Sequence, residues 1–164
     1  ALDRLNLDYV WWLVSPGNPL KSKDDMASFE VRQKSALEIA TDKRIIVTDI
    51  EKKLKTRYTI DTLLELTKIH PDHHFVWLMG ADNLVQFDQW KDWKKIANTL
   101  PFAIFSRPSY SRLSLKSPAA QYLKQYRIDE IDAGKLYELK PPAWVYCFDN
   151  DNPTSSTEIR NNIK

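Results

Sequence analysis

Three stretches of this sequence carry side chains whose types and spacing could do chemistry. The first is SSTEIR, Ser155 to Arg160. Ser155 and Glu158 stand at the spacing of a capping box, so the run reads as a helix start that satisfies its own orphan donors. The same geometry suits an anion. A helix N-terminus offers free N–H groups and the positive end of a dipole, the Ser155 and Thr157 hydroxyls add donors, and Arg160 returns one turn later to grip phosphate oxygens. The two readings are compatible.

The second stretch is FVWLMGADNLVQFDQW, Phe75 to Trp90. Five consecutive apolar residues read as a strand covered on both faces, as in a parallel sheet, ending at Met79. In such sheets ligands bind just beyond the carboxyl ends of the strands, which is where Asp82 falls. Trp90, with Trp93 and Ile96, stands at a spacing usual for core, yet a Trp on the rim of a crevice also stacks on flat rings.

The third is TRYTIDTL, Thr56 to Leu63. It reads as a loop entering a helix, with Thr59 as N-cap and Tyr58 as a hydrophobic staple residue. As a site, backbone N–H groups around Thr59 would receive a carboxylate. Two further features read as structural. HPDHH, His70 to His74, lacks the helical spacing of a zinc site and reads as a solvated turn, so no metal site is expected. Cys147 is the single cysteine, which excludes an internal disulfide and fits a reducing compartment with the cytoplasm as default.

The elements that must position these residues alternate along the chain. After Leu2, Leu5 and Leu7, which look like the end of a helix, Tyr9–Val14 forms a strand and a Pro- and Gly-bearing loop follows. A helix is expected from Ser28 to Ala40 with Phe29, Ala36, Leu37 and Ala40 on one face. RIIVTD is the next strand, and a helix runs from Thr59 to Pro71. Beyond Phe75–Met79, the residues from Asp82 to Leu100 form one helix or two short ones, and Phe102–Phe105 is a buried strand closed by Arg107 and Pro108. Residues 109–142 read as a polar insertion with one helix near Ala119–Tyr126. Trp144–Phe148 is the last strand, before the helix at Ser155.

Strand-helix alternation with apolar strands implies an α/β fold with a doubly wound parallel sheet, here as a single domain over 1–164. With 164 residues, 43% of them hydrophobic, the chain is long enough to bury a core. A net charge of +2 gives little reason to expect a nucleic-acid or membrane-surface partner, and no apolar run approaches the ~20 residues of a spanning helix. Only three glycines occur, so the chain holds neither a Gly-rich dinucleotide turn nor a GxxxxGK[ST] phosphate loop. Phosphate must be held another way.

Taken in order, VWWLVSPGNPLK (10–21), TRYTIDTL (56–63), FVWLMGADNLVQFDQW (75–90), FAIFSRPSY (102–110) and SSTEIR (155–160) resemble the bacterial nicotinate mononucleotide adenylyltransferases of the nucleotidyltransferase superfamily. The resemblance implies a Rossmann-like nucleotidyltransferase fold and transfer of the adenylyl group of ATP to nicotinate mononucleotide, giving deamido-NAD and pyrophosphate, with Mg2+ carried on the ATP. It implies that Asp82 holds the adenosine ribose, that Ser155, Thr157 and Arg160 hold the ATP phosphates, and that Lys21 faces phosphate. Trp90 would stack on the nicotinate ring, with Tyr58 beside it. Backbone N–H groups at Thr59 and near Lys91 would receive the ring carboxylate.

The family's opening strand and its G-x-F-x-P-x-H-x-G-H turn have no counterpart here, so no catalytic residue is assigned. Roughly two dozen residues, with the first strand of the sheet, are expected upstream. That strand belongs in the middle of the sheet, so two unpaired edges and a poorly soluble or inactive 164-residue chain are expected. Two other functions remain open: a sister enzyme such as a pantetheine-phosphate adenylyltransferase, against which Trp90 and the TRYT loop argue, and a nucleotide-binding module without catalysis.

Overall fold

Apolar runs of four or five residues, rich in aromatic and β-branched side chains, are too short for buried helices and form strands. The computed structural model describes residues 1–17, 27–107 and 110–148. Its strands are β1 (Val10–Leu13), β2 (Ile45–Thr48), β3 (Trp77–Gly80), β4 (Phe102–Phe105), β5 (Arg127–Ile128) and β6 (Trp144–Cys147). The helices are α1 (Phe29–Ile39), α2 (Ile50–Leu54), α3 (Thr59–Ile69), α4 (Ala81–Val85), α5 (Trp93–Thr99), α6 (Ser111–Leu115) and α7 (Pro118–Tyr122). Every strand pairing is parallel.

The strands form two hydrogen-bonded blocks, β1-β2 and β3-β4-β6-β5. The edges of β1 and β3 that face each other have no strand partner among the described residues. Between them lies a cleft of about 980 Å³, lined by Val10 to Leu13 on one side and Phe75 to Leu78 on the other, with Leu63, Leu66 and Leu100. The N–H groups of Val10 and Val14 bond to carbonyls of Arg44 and Thr48. Parallel strands alternate their bonding direction, so the peptide groups of Trp11 and Leu13 face the cleft. Trp77 Nε1 is buried without a hydrogen-bond partner, and its residue also lines the cleft.

The larger core is built on β3, β4 and β6 and their covering helices, with Met79, Leu84, Phe87, Phe102, Ile104, Trp144 and Tyr146 at its centre. The Phe102 and Trp144 rings stack at 5.7 Å. A second core, with Leu5, Ala103, Ala133, Leu136, Val145 and Cys147, covers the other sheet face, as a sheet with apolar residues on both sides requires. Among the described residues no helix is long and apolar enough to cross a membrane.

The N-terminal residues end a helical turn, as their pattern suggests. Leu7 N–H bonds to the Leu2 carbonyl and Asn6 N–H to that of Asp3, with Asn6 left-handed at φ 51°, which together make a Schellman stop. Other expectations need correction. β3 ends at Gly80, one residue later than Met79, because Gly80 still pairs with Phe105. On α1 only Ala36 is buried, and Leu37 is exposed.

Thr59 is not the N-cap of α3. It is the first helical residue, and extended Tyr58 precedes it without a side-chain cap bond. Asp82 to Leu100 break into α4, a 3-10 turn at Phe87–Gln89 and α5, because Asp92 takes a left-handed conformation at φ 52°.

The helix expected near Ala119–Tyr126 is present as α7 and a 3-10 turn at Lys124–Tyr126, but the segment around it contributes to the core and is not simply polar. Ser117 caps α7 with Pro118 at its first position, and Ala119, Ala120 and Leu123 sit in the larger core. Trp144 Nε1 donates to the Leu123 carbonyl at 2.8 Å. Ser114 and Tyr146 hydroxyls meet at 3.1 Å in the interior, tying α6 to β6. Five-residue helices and alanine pairs leave no periodic apolar signal, which is why the sequence pattern fades there.

Candidate active site

The register of β3 and β4 fixes one corner of the crevice. Gly80 and Phe105 are partners, so Asp82 and Arg107, each two residues further on, leave adjacent strands at the same height. Arg107 Nε lies 3.1 Å from Asp82 Oδ1, an ion pair of half-exposed side chains. That carboxylate oxygen has no well-aligned hydrogen bond despite the short contact. Gly80 makes the approach feasible, since a Cβ there would stand 2.4 Å from Asp82 Oδ1 and 2.8 Å from Arg107 Nε. The sequence reading missed Arg107. Its signal is a basic residue two places past a buried strand, at the edge already assigned to Asp82.

A second group gathers at the start of α3. This helix leads from β2 to β3 and runs back along the sheet, so its N-terminus lies toward the carboxyl ends of the strands, as Asp82 does. Tyr58 accepts from Asp61 and Thr62 N–H through its carbonyl, at 3.0 and 3.2 Å. As the first helical residues, Thr59 and Ile60 have N–H groups that no intrahelical carbonyl reaches. Lys91 reaches this turn from 30 residues away and pairs with Asp61 at 3.4 Å. Trp90 packs against the larger core, its ring 5.6 Å from that of Phe87.

Under the Tyr58 turn runs a polar network. The Thr56 and Thr62 hydroxyls meet at 2.8 Å, and Thr62 Oγ1 donates to Glu51 Oε1 at 3.4 Å. Burial pushes the Glu51 carboxyl above its usual pKa, and hydrogen bonds from Ser15 and Thr62 pull partly against that rise. The network fixes the loop between α2 and α3 that presents Tyr58 and Thr59.

The structure thus brings Tyr58, Thr59 and Lys91 together, sets Asp82 against Arg107, and seats Trp90 on the core next to Lys91. Lys21, Ser155, Thr157 and Arg160 lie outside the described residues. The large cleft includes neither Asp82 nor Tyr58 and opens instead toward Asn6 to Tyr9 and Asp72 to His74. There HPDHH forms the expected turn, exposed from Pro71 to His74, and the His70 and His73 rings lie against those of Trp11 and Phe75. Among the described residues no group of three His, Cys, Asp or Glu could hold a metal ion.

Comparison with known proteins gives one consistent answer. A family model described as cytidylyltransferase-like matches residues 1–162. A probable nicotinate-nucleotide adenylyltransferase of Agrobacterium fabrum is 46% identical over 164 residues, covering 100% of this chain and 88% of that protein. One of the same name from Parvibaculum lavamentivorans is 48% identical over 160 residues, covering 98% and 80%. Among solved structures, Plasmodium falciparum nicotinic acid mononucleotide adenylyltransferase complexed with NaAD superposes with a TM-score of 0.64, covering 94% of this chain and 69% of that one. At 19% identity this likeness speaks for the fold. The parallel sheet, the acid beyond β3 and these matches together place the chain in the cytidylyltransferase-like family, among the nicotinate-nucleotide adenylyltransferases.

Proposed function

We infer that this protein joins the adenylyl group of ATP to nicotinate mononucleotide, forming deamido-NAD and pyrophosphate in NAD biosynthesis. The observation that carries the reading is 46% identity over all 164 residues to a relative with that activity in its name.

In the reaction a phosphate oxygen of the mononucleotide attacks the α-phosphorus of ATP, a new P–O–P bridge forms, and the bond to the β-phosphate breaks as pyrophosphate leaves. Such transfer is mostly positioning and charge neutralisation, so no protein nucleophile is needed. Asp82 is suited to the ribose hydroxyls, which a carboxylate accepts from. Arg107 beside it adds a cation for phosphate. Ser155, Thr157, Arg160 and Lys21 complete the phosphate contacts in this reading.

Trp90 offers a flat face for the pyridine ring, and the Thr59 turn and Lys91 offer N–H groups for its carboxylate. Divalent metal, Mg2+ carried in on the ATP in this reading, would supply charge neutralisation on the triphosphate. One nucleotidyltransferase domain over residues 1–164, working in the cytoplasm, belongs to the same reading.

The test incubates the purified protein with ATP and Mg2+ and offers nicotinate mononucleotide, nicotinamide mononucleotide or phosphopantetheine in turn. Pyrophosphate release with the first, and deamido-NAD as product, is the expected result. Turnover of phosphopantetheine instead would move the assignment to the sister enzyme. Release with none would leave a nucleotide-binding module.

A further inference from the structure

The last peptide of β6 is held by side chains where a neighbouring strand would hold it elsewhere. β5 ends at Ile128, opposite Val145, so among the described residues Tyr146 and Cys147 run on with no strand on that side. The chain turns there into a 3-10 stretch, Glu130–Glu138, whose first residue sends its carboxylate back to the uncovered edge. The two Glu130 oxygens accept from the Phe148 N–H at 3.2 and 3.1 Å. At the other end of the same peptide the Cys147 carbonyl accepts from the Ser106 N–H at 2.9 Å. Arg4 completes the grip, since its Nη1 donates to Glu130 Oε1 at 3.0 Å and to the Phe148 carbonyl. Leu5, buried in the second core with Leu136, Val145 and Cys147, anchors the turn that carries Arg4.

The Arg4 and Glu130 side chains are about one-third exposed, a setting in which an ion pair adds little stability. What the pair fixes is geometry. Ser106 is followed by Arg107, the partner of Asp82, and only residues 149–154 separate Phe148 from Ser155 in the sequence. We propose that Glu130, with Arg4 as its counter-ion, is a positioning residue for ATP: its carboxylate stands in for the missing strand carbonyl, fixes the last peptide of β6, and so sets Arg107 against Asp82 and the direction in which the chain leaves Phe148. The inference rests on the reading of Asp82, Arg107, Ser155, Thr157 and Arg160 as the ATP side of the site. A carboxylate accepts a strand N–H as a ladder carbonyl does, and its charge strengthens the bond.

The experiment measures binding of ATP with Mg2+, and separately of nicotinate mononucleotide, to the full chain by calorimetry, for the wild type, E130Q, E130M and E130A. Glutamine keeps an oxygen that accepts from the Phe148 N–H, whereas methionine matches the length without an acceptor. E130M and E130A are expected to weaken ATP on the order of fivefold while moving nicotinate mononucleotide less than about twofold, and E130Q to stay within about twofold of wild type for both. The sign separates geometry from charge. Removing a negative charge favours an anionic ligand, so weaker ATP binding in E130M does not come from the lost charge, which E130Q loses as well.

An unchanged ATP affinity in E130M, or a loss shared equally by both ligands, overturns the proposal while leaving the ATP reading standing. An E130Q protein as weak as E130M does the same, because the amide keeps the bond to Phe148. A wild type that binds no ATP overturns the ATP reading and the proposal with it. Thermal midpoints within a few degrees of wild type confirm that the variants report on binding, and E130M carries the comparison should E130A lose stability.

Discussion

Asp82 and Arg107 meet 3.1 Å apart over the bare Cα of Gly80, each two residues past a pair of register partners on neighbouring strands. Gly80 has a φ of −78°, which any residue adopts, so its requirement is for space and not for backbone freedom. Gly80→Ala is expected to force the two charged side chains apart and lower kcat/KM for ATP on the order of tenfold, with a modest change in thermal midpoint. Wild-type kinetics in the alanine variant would show that the pair is not needed.

Removing either member separately should part binding from fold. Asp82→Asn keeps the shape and loses the charge, and is expected to weaken ATP by about 1.5–3 kcal/mol, the usual range for a hydrogen bond to a charged group. Arg107→Ala is expected to raise KM for both phosphate-bearing substrates. Fluorescence titration with ATP checks the first and steady-state kinetics the second. A D82N protein with unaltered ATP affinity removes Asp82 from the ribose role.

Trp90 is partly buried against the core, its ring T-shaped to that of Phe87. Trp90→Phe should keep most of that packing and lose part of the stacking surface, so KM for nicotinate mononucleotide rises several-fold while KM for ATP stays within about twofold. A rise in both would point to a structural role only.

The Glu51 carboxyl is held above its ordinary pKa by burial. A carboxyl raised in the folded state contributes stability below its unfolded pKa and loses it as pH rises through the folded value. Near neutral pH the ionised group is a net liability. Glu51→Gln, which still accepts from Thr62, is expected to raise the thermal midpoint at pH 7 and to leave it unchanged near pH 4. Equal effects at both pH values would count against burial as the cause.

Burial also pushes the Cys147 thiol up, with Glu130 adding to the rise, and its side chain has no exposed surface. The thiolate is the reactive form. A disulfide reagent at pH 8 is expected to label the folded protein far more slowly than the urea-unfolded chain. Rapid labelling of the folded form would mean that β6 opens readily.

The strands that carry the site were legible because both their faces are buried. FVWLM, FAIF and WVYCF leave no polar alternation and so announce a parallel sheet with Asp82 at its rim. What joins residues across strands was not legible. Arg107 becomes Asp82's neighbour only through the register of Gly80 with Phe105, and Lys91 meets Asp61, 30 residues away, only in the folded chain. Thr59 was misplaced by one position because its hydroxyl suggested a cap, while the helix begins from uncapped Tyr58. Ala119, Ala120 and Leu123 went unrecognised as core since their helices span a single turn or little more.

Among the described residues no ladder hydrogen bond joins the β1-β2 pair to the four-stranded block. Each can open without breaking a hydrogen bond of the other, so amide exchange should resolve two protection classes. Amides of Ala103 and Val145, in the middle of the larger block, should persist longest.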